Sequence, residues 1–317
     1  MSARPDDRPA MLREVLRGLD STPRTLSPKY FYDKSGSLLF DRITALPEYY
    51  LTRAEAALLT THAGTICDLM GPHAALIELG SGSSLKTRIV LDRAVDLERY
   101  VPVDISADHL FDTAAKLRSA YPGFVIAPVV ADYSKPLPPM ADAVSRKGGR
   151  RVVFFPGSSI GNFEPDDAIA FLRRVAPLAG DDGLVIVGVD IPKDRAILER
   201  AYDDASGVTA LFNKNVLLHL NDQLGADFDV DGFDHHAPWQ PGPSRIEMRL
   251  VSRAQQSVTI GDRRFTFDAG EHIVTEHCYK WSPERFCELA ARASLVSRKV
   301  LFDLGGNVSM HVLAPAS

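Results

Sequence analysis

Between residues 74 and 190 the chain repeats one texture, a short run that is apolar throughout followed by a stretch of helical periodicity. The runs are AALIEL (74–79), RYVPVDI (99–105), FVIAPVVAD (124–132), RVVFFPG (151–157) and LVIVGVD (184–190). Helical stretches fall near 84–94, 107–120 and 165–178. A strand without polar alternation is buried on both faces, and the helices between such strands supply the cover. The pattern therefore predicts an α/β fold around a parallel sheet.

The flanks read differently. Met11 to Leu19 has helical periodicity, broken by Ser27-Pro28, and an aromatic-dense segment leads into a helix expected from Thr52 onward, with Thr52 as N-cap. After Asp190 the alternation stops. A helical segment (DRAILERAYDDASGVTALFNKNVLLHL) and a loop rich in Asp, His and Pro precede the alternating strands RIEMRLVSR, QSVTIG, RRFTFDAG and EHIVTEHCYKW. A helix (SPERFCELAARA) and the strands SRKVLFDL and SMHVLAP end the chain. The expected layout is an N-terminal segment over 1–60, a sheet domain over 61–193, an insertion over 194–281 and a return to the sheet over 282–317. The N-terminal segment and the insertion together would form a second α+β domain.

Of 317 residues, 45% are hydrophobic and 24% charged, with a net charge of −5. That balance offers no general attraction to nucleic acid or anionic lipid. The densest basic run, from Arg146 to Arg151, has no interleaved aromatics and reads as a solvated loop. Three cysteines without CxxC spacing, Cys67, Cys278 and Cys287, suit a reducing compartment and argue against a disulfide framework or structural zinc. The N-terminus lacks the apolar core of a signal peptide, and no run reaches the ~20 apolar residues of a membrane span. A cytoplasmic monomer without nucleic-acid or membrane partners is expected.

The first apolar run ends in LIELGSGSSLKT, where five small residues, Gly80 to Ser84, separate strand from helix. In an open α/β sheet, ligands bind outside the carboxyl ends of strands, and glycine lets the backbone come close to them. Taken alone, the G-S-G is equally good turn chemistry. Two acids sharpen it: Asp104 ends the second strand and Asp132 the third, with Tyr133 beside it to flank a base. Either acid alone could cap a helix. Both behind a glycine loop favour an adenosine-containing ligand. The string G-S-G-S-S-L lacks the third glycine of a dinucleotide site, and E-L-G-S-G instead resembles the first motif of S-adenosylmethionine-dependent methyltransferases. Lys86 is placed either to reach that cofactor's carboxylate or simply to sit on a helix surface.

Further strings carry a narrower resemblance: KYFYD (29–33), LPEYY (46–50), GSSIGNF (157–163), AYDDASGVTALFNKN (201–215), RIEM (245–248) and VTEHCYKW (274–281). From about residue 27 onward the chain resembles the L-histidine Nα-methyltransferases of ergothioneine biosynthesis. The resemblance implies a seven-stranded Rossmann-like methyltransferase sheet, a second substrate-binding domain, and S-adenosyl-L-methionine as cofactor. It also implies a small-molecule substrate, L-histidine. Gly80, Lys86, Asp104, Asp132 and Tyr133 fall on the family's cofactor contacts. Tyr49 matches a tyrosine beside the substrate amine, with Tyr32 nearby; these two are the candidate catalytic residues. Asn162 and Tyr202 match the pair that holds the substrate carboxylate, Gly157 lies next to the reacting centre, Glu276 matches the acid that recognises the imidazole, and Met248 lines the same pocket.

Strand alternation supports part of this independently, because Glu276 and Cys278 point one way, as do Ile246, Met248 and Leu250. The family's Glu-x-Ser is here Glu276-His277-Cys278, and a thiol is the weaker hydrogen-bond partner. Counting residues puts His272 and His277 on opposite faces, which argues against a metal. Competing readings are a same-fold methyltransferase of another amino acid amine such as tryptophan, and a module that binds S-adenosylmethionine without catalysis. The matched amine, carboxylate and ring positions disfavour the module, since a sensor needs no second pocket.

Overall fold

The computed structural model describes residues 8–94, 96–138, 140 and 148–316. Arg146 and Lys147 of the basic run lie outside the described residues. The chain forms two compact units: Leu51–Pro192 with the chain from Lys280 on, and the chain up to Tyr50 with Lys193–Tyr279. The first division falls ten residues earlier than the expected 1–60 segment. Its cause is the helix Tyr50–Met70, which buries Leu58, Leu59, Ile66 and Met70 in the core of the large sheet. That helix starts before Thr52, which lies in its first turn and is not the N-cap.

The larger unit is the expected sheet. Its strands run in the order Leu295–Phe302, Val308–Pro315, Leu184–Asp190, Arg151–Phe155, Ala75–Leu79 and Arg99–Asp104, then an edge position shared by Val125–Ile126 and Val129–Val130. Among the described strands of this sheet, only Val308–Pro315 runs against the direction of the others. The seventh position is split because Pro128 interrupts it, and proline has no N–H for the ladder. Ala75–Leu79 pairs with Arg99–Asp104 on one side and Arg151–Phe155 on the other, so strand order reverses there. The glycine loop leaves the sheet at this reversal, where open α/β sheets bind ligands.

The other unit has a sheet in the order Arg24–Thr25, His272–Tyr279, Arg245–Ser252, Phe233–His236, with Trp239–Gln240 also pairing Arg245–Ser252. A hairpin, Gln256–Ile260 with Arg263–Phe267, lies apart from that sheet. The expected long helix after residue 194 is two, Arg195–Tyr202 and Val208–Leu224. Asp204 makes the break by accepting the N–H groups of Val208 (3.0 Å) and Thr209 (2.7 Å), and Gly207 turns the chain at φ +71°. The strands Phe233–His236 and Trp239–Gln240 form within the stretch expected to be a loop. Also among the elements not anticipated are the short strand Arg24–Thr25, a 3-10 turn at Pro28–Phe31 and a helix at Lys34–Thr44. Asp33 caps that helix by accepting the Gly36 N–H at 2.7 Å. No described helix is long and apolar enough to cross a membrane.

Candidate active site

In the sheet unit, the loop after Leu79 turns with φ +70° at Gly80 and +48° at Gly82, a region glycine enters freely. The N–H groups of Gly80 and Ser81 donate to the Val103 carbonyl at 2.8 and 3.2 Å. Asp104 secures the loop further: its Oδ2 accepts the Gly82 N–H at 3.0 Å and its Oδ1 the Ser106 N–H at 2.9 Å. A Cβ at Gly80 would come within 3.1 Å of the Tyr133 ring, so the missing side chain is what admits the aromatic. Tyr133 in turn meets Phe155 and Phe171 edge-on, with centroids 5.3 and 6.1 Å away. Asp132 also serves its own turn, accepting from the Ser134 N–H (2.9 Å) and hydroxyl (2.5 Å).

Lys86 pairs with Glu55, a residue the sequence reading passed over. Glu55 is only 4% exposed, and its Oε1 accepts the Gly157 N–H at 2.6 Å. The signal was present: Leu51, Glu55, Leu58 and Leu59 form one helical stripe, and a carboxylate on a buried stripe needs partners. Gly157 (φ +85°) and Ser158 (φ 56°) turn the chain sharply, and Ser158 Oγ accepts the Asp190 N–H at 2.9 Å. Asn162 ends the following 3-10 turn, Ser159–Asn162. Beneath the loop, Glu78 accepts hydrogen bonds from the hydroxyls of Thr87 and Tyr100. Burial pushes its pKa up to about 7, against the lowering effect of those bonds.

This face fits S-adenosylmethionine. Gly82 leaves open space beside the backbone, Gly80 admits the Tyr133 ring against the loop, Asp104 offers a carboxylate at the second strand end and Lys86 an ammonium. Ser81 Oγ is buried on the same loop with no partner among the described residues.

In the other unit the tyrosines gather. Tyr32 meets Phe40 and Phe212 at 5.7 and 5.6 Å, Phe40 meets Tyr49 at 6.3 Å, and Tyr49 meets Tyr202 at 6.2 Å, all edge-on. Asn215 fastens the KYFYD string to the helix Val208–Leu224, donating to Asp33 Oδ1 at 2.9 Å and the Phe31 carbonyl at 3.3 Å. Tyr202 closes its helix, and its carbonyl accepts from His235 Nε2 at 2.8 Å. Burial holds the His235 pKa below the ordinary imidazole value.

Glu276 is buried at 7% exposure, opposite Met248 in the strand register, and Cys278 Sγ donates to its Oε2 at 3.2 Å. Cys278 is opposite Ile246, so the acid, thiol, thioether and isoleucine share one face. The expectation for the histidines needs correction. The register shifts between Met248 and Arg249, because Thr275 is an extra residue there, and His272 and His277 therefore share a face. His277 contacts Glu247 Oε1 at 3.1 Å, a residue also held by Arg245 and Arg249. No group of three or more potential ligands that could hold a metal occurs among the described residues. Gly157 and Asn162 belong to the sheet unit; Tyr32, Tyr49, Tyr202, Met248, Glu276 and Cys278 belong to the other.

Residues 11–315 match the profile of the histidine-specific, S-adenosylmethionine-dependent methyltransferases. The chain belongs to this family. It is 44% identical to the histidine N-alpha-methyltransferase of Mycobacterium tuberculosis, over 96% of this chain and 95% of that protein. The enzyme of the same name from Mycolicibacterium smegmatis is 43% identical, over 96% and 94%. Ergothioneine biosynthesis protein 1 of Neurospora crassa is 32% identical over 92% of this chain, which spans 33% of that longer protein. The family match includes the glycine loop and every string from KYFYD to VTEHCYKW.

Proposed function

We propose that the protein transfers methyl groups from S-adenosyl-L-methionine to the α-amino nitrogen of L-histidine, three in succession, giving hercynine for ergothioneine biosynthesis. The observation that carries the substrate reading is the buried Glu276 carboxylate, set on one face with Cys278 and Met248. A buried acid on an otherwise apolar face is suited to a polar ring bearing N–H donors.

S-adenosylmethionine, when bound, supplies a methyl already activated by its sulfonium leaving group. The chain's task is to hold a neutral amine in line with it, at a separation of about 3–3.5 Å. Each transfer forms an N–C bond as the S–C bond breaks, and the amine must lose a proton before the next. In this reading Tyr32 and Tyr49 orient the amine, Asn162 and Tyr202 take the carboxylate, Gly157 borders the reacting centre, and Glu276 takes the imidazole with Met248 and Cys278 beside it. Gly80, Lys86, Asp104, Asp132 and Tyr133 hold the cofactor. The acidic balance, net charge −5, offers no attraction to nucleic acid or anionic membrane. The three cysteines without CxxC spacing suit a reducing cytoplasm, and in this reading the protein is a cytoplasmic monomer.

The test is purified protein with S-adenosylmethionine and an amino acid panel, read by mass spectrometry. Three methyl groups on the α-nitrogen of histidine are expected, and none on the ring. Fragmentation that places a methyl on the imidazole would show that the substrate lies the other way round. Cofactor binding without methylation of any amine would leave the non-catalytic reading standing.

A further inference from the structure

The β-bulge at Thr275 decides what Glu276 can do. Ile273 is opposite Leu250, and Glu276 is opposite Met248, so residues three apart in sequence share a face. With no extra residue, strand alternation would turn His277 to that face and Glu276 away from it. A bulge unpairs backbone groups, and buried ones need partners. Here two side chains supply them. The Thr275 hydroxyl lies 3.2 Å from the Met248 carbonyl and 2.6 Å from Asn213 Oδ1. Asn213 Nδ2 donates to the Arg249 carbonyl at 3.0 Å and to His235 Nδ1 at 2.8 Å.

Asn213 is 0% exposed and Thr275 is 1% exposed. The chain of bonds runs on, since His235 receives a proton donor at Nδ1 and gives its Nε2–H to the Tyr202 carbonyl. Those partners fix the ring tautomer, because an amide N–H only donates and a carbonyl only accepts. One helix side chain thus joins the bulge that aims Glu276 to the backbone that carries Tyr202.

We propose that Thr275 and Asn213 are positioning residues for histidine selectivity, holding the bulge that presents Glu276 and tying it through His235 to Tyr202. The inference rests on Glu276 and Tyr202 contacting the substrate. Thr275→Val keeps the shape of the side chain but removes its hydrogen, leaving Asn213 Oδ1 and the Met248 carbonyl buried without it. Thr275→Ser keeps the hydroxyl.

The experiment compares Thr275→Val, Thr275→Ser and Glu276→Ala in full-length protein. It measures kcat/KM for histidine, activity on phenylalanine relative to histidine, and S-adenosylhomocysteine affinity by calorimetry. Displacement of a binding group by about 1 Å can cost about a hundredfold, so Thr275→Val is expected to lose about ten- to a hundredfold in histidine kcat/KM. Its selectivity for histidine over phenylalanine should fall, its cofactor affinity should stay the same, and Thr275→Ser should restore most of the loss. Should Glu276→Ala lose histidine activity while Thr275→Val keeps it, the positioning role is wrong. It is equally wrong if the serine variant is as impaired as the valine variant, or if neither variant folds, because the loss then follows packing and not the hydroxyl. A Glu276→Ala protein with undiminished histidine activity would instead remove the substrate reading on which the inference rests.

Discussion

Glu55 holds the backbone of Gly157. Its Oε1 accepts the Gly157 N–H at 2.6 Å while the other oxygen pairs with Lys86, so one carboxylate joins a cofactor-contact candidate to the loop proposed to border the reacting centre. Room for it comes from Gly188, in the strand Leu184–Asp190. A Cβ there would fall well inside contact distance of Glu55 Oε1 and within 3.3 Å of the Gly157 nitrogen. A glycine inside a buried strand often marks such a close approach.

Gly188→Ala is therefore expected to destabilise the fold by about 1–3 kcal/mol, the range for overpacking a core. Glu55→Ala in the same chain removes the clashing oxygen, so the double variant should be less destabilised than the two single losses combined. Urea denaturation of the four proteins measures this. Additivity within about 0.5 kcal/mol would mean that the two side chains do not meet.

The strands of the sheet were legible because burial on both faces leaves an unbroken apolar run, as in LVIVGVD, which matches Leu184–Asp190 to the residue. The glycine loop and Asp104 were legible because positive φ and a strand-end acid leave marks in residue type. Glu55 was missed because its partners are remote in sequence: Lys86, Gly157 and Gly188 come from three other segments. The bulge at Thr275 was missed for a related reason. Counting along EHIVTEHCY assumes a period of two, and nothing within the strand announces the extra residue. The side chain that bonds it, Asn213, lies on a different element.

Glu78 gives the fold a defined pH response. Its folded-state pKa, about 7, lies above the ordinary value of 4.5, so the folded form retains a proton that the unfolded chain has lost between those values. Its contribution is fully present below about 4.5 and is lost as pH rises through 7. Glu78→Gln removes the ionisation while keeping the shape. Relative to the parent it should gain stability between pH 5 and pH 8, by up to about 3 kcal/mol. Tm values for both proteins across that range provide the check, and a constant gap would mean that Glu78 is ionised in the folded state throughout.

Asp104 has two tasks that one substitution separates. It pins Gly82 and Ser106 through their N–H groups, and it is proposed to hold the cofactor from a strand end, where an acid accepts ribose hydroxyls. Asp104→Ala should weaken S-adenosylhomocysteine binding by about 1.5–3 kcal/mol, as for hydrogen bonds to a charged group. Asp104→Asn, with one oxygen left to accept, should lose less. Unchanged affinity of the alanine variant by calorimetry would remove Asp104 from the site.

The histidine assignment depends most on Glu276. A site built to hydrogen-bond a polar ring rejects ligands that leave its buried groups unpaired, whereas an apolar site discriminates only weakly. The Glu276 carboxylate takes the Cys278 thiol at Oε2, at 3.2 Å, and a carboxylate has acceptor capacity for more than one donor. An imidazole N–H would use that capacity, more strongly if the ring is protonated. Removing the carboxylate should cost histidine about 1.5–3 kcal/mol in kcat/KM. The same change removes the penalty of desolvating a carboxylate against an apolar ring, so Glu276→Ala should raise activity on tryptophan or phenylalanine relative to histidine. A loss on histidine with a shift of selectivity toward the apolar rings is demanded, where general damage would lower every substrate alike. A folded variant that keeps its histidine kcat/KM, or loses every substrate equally, would mean that Glu276 does not anchor the ring. The substrate would then be an amino acid amine chosen by other residues.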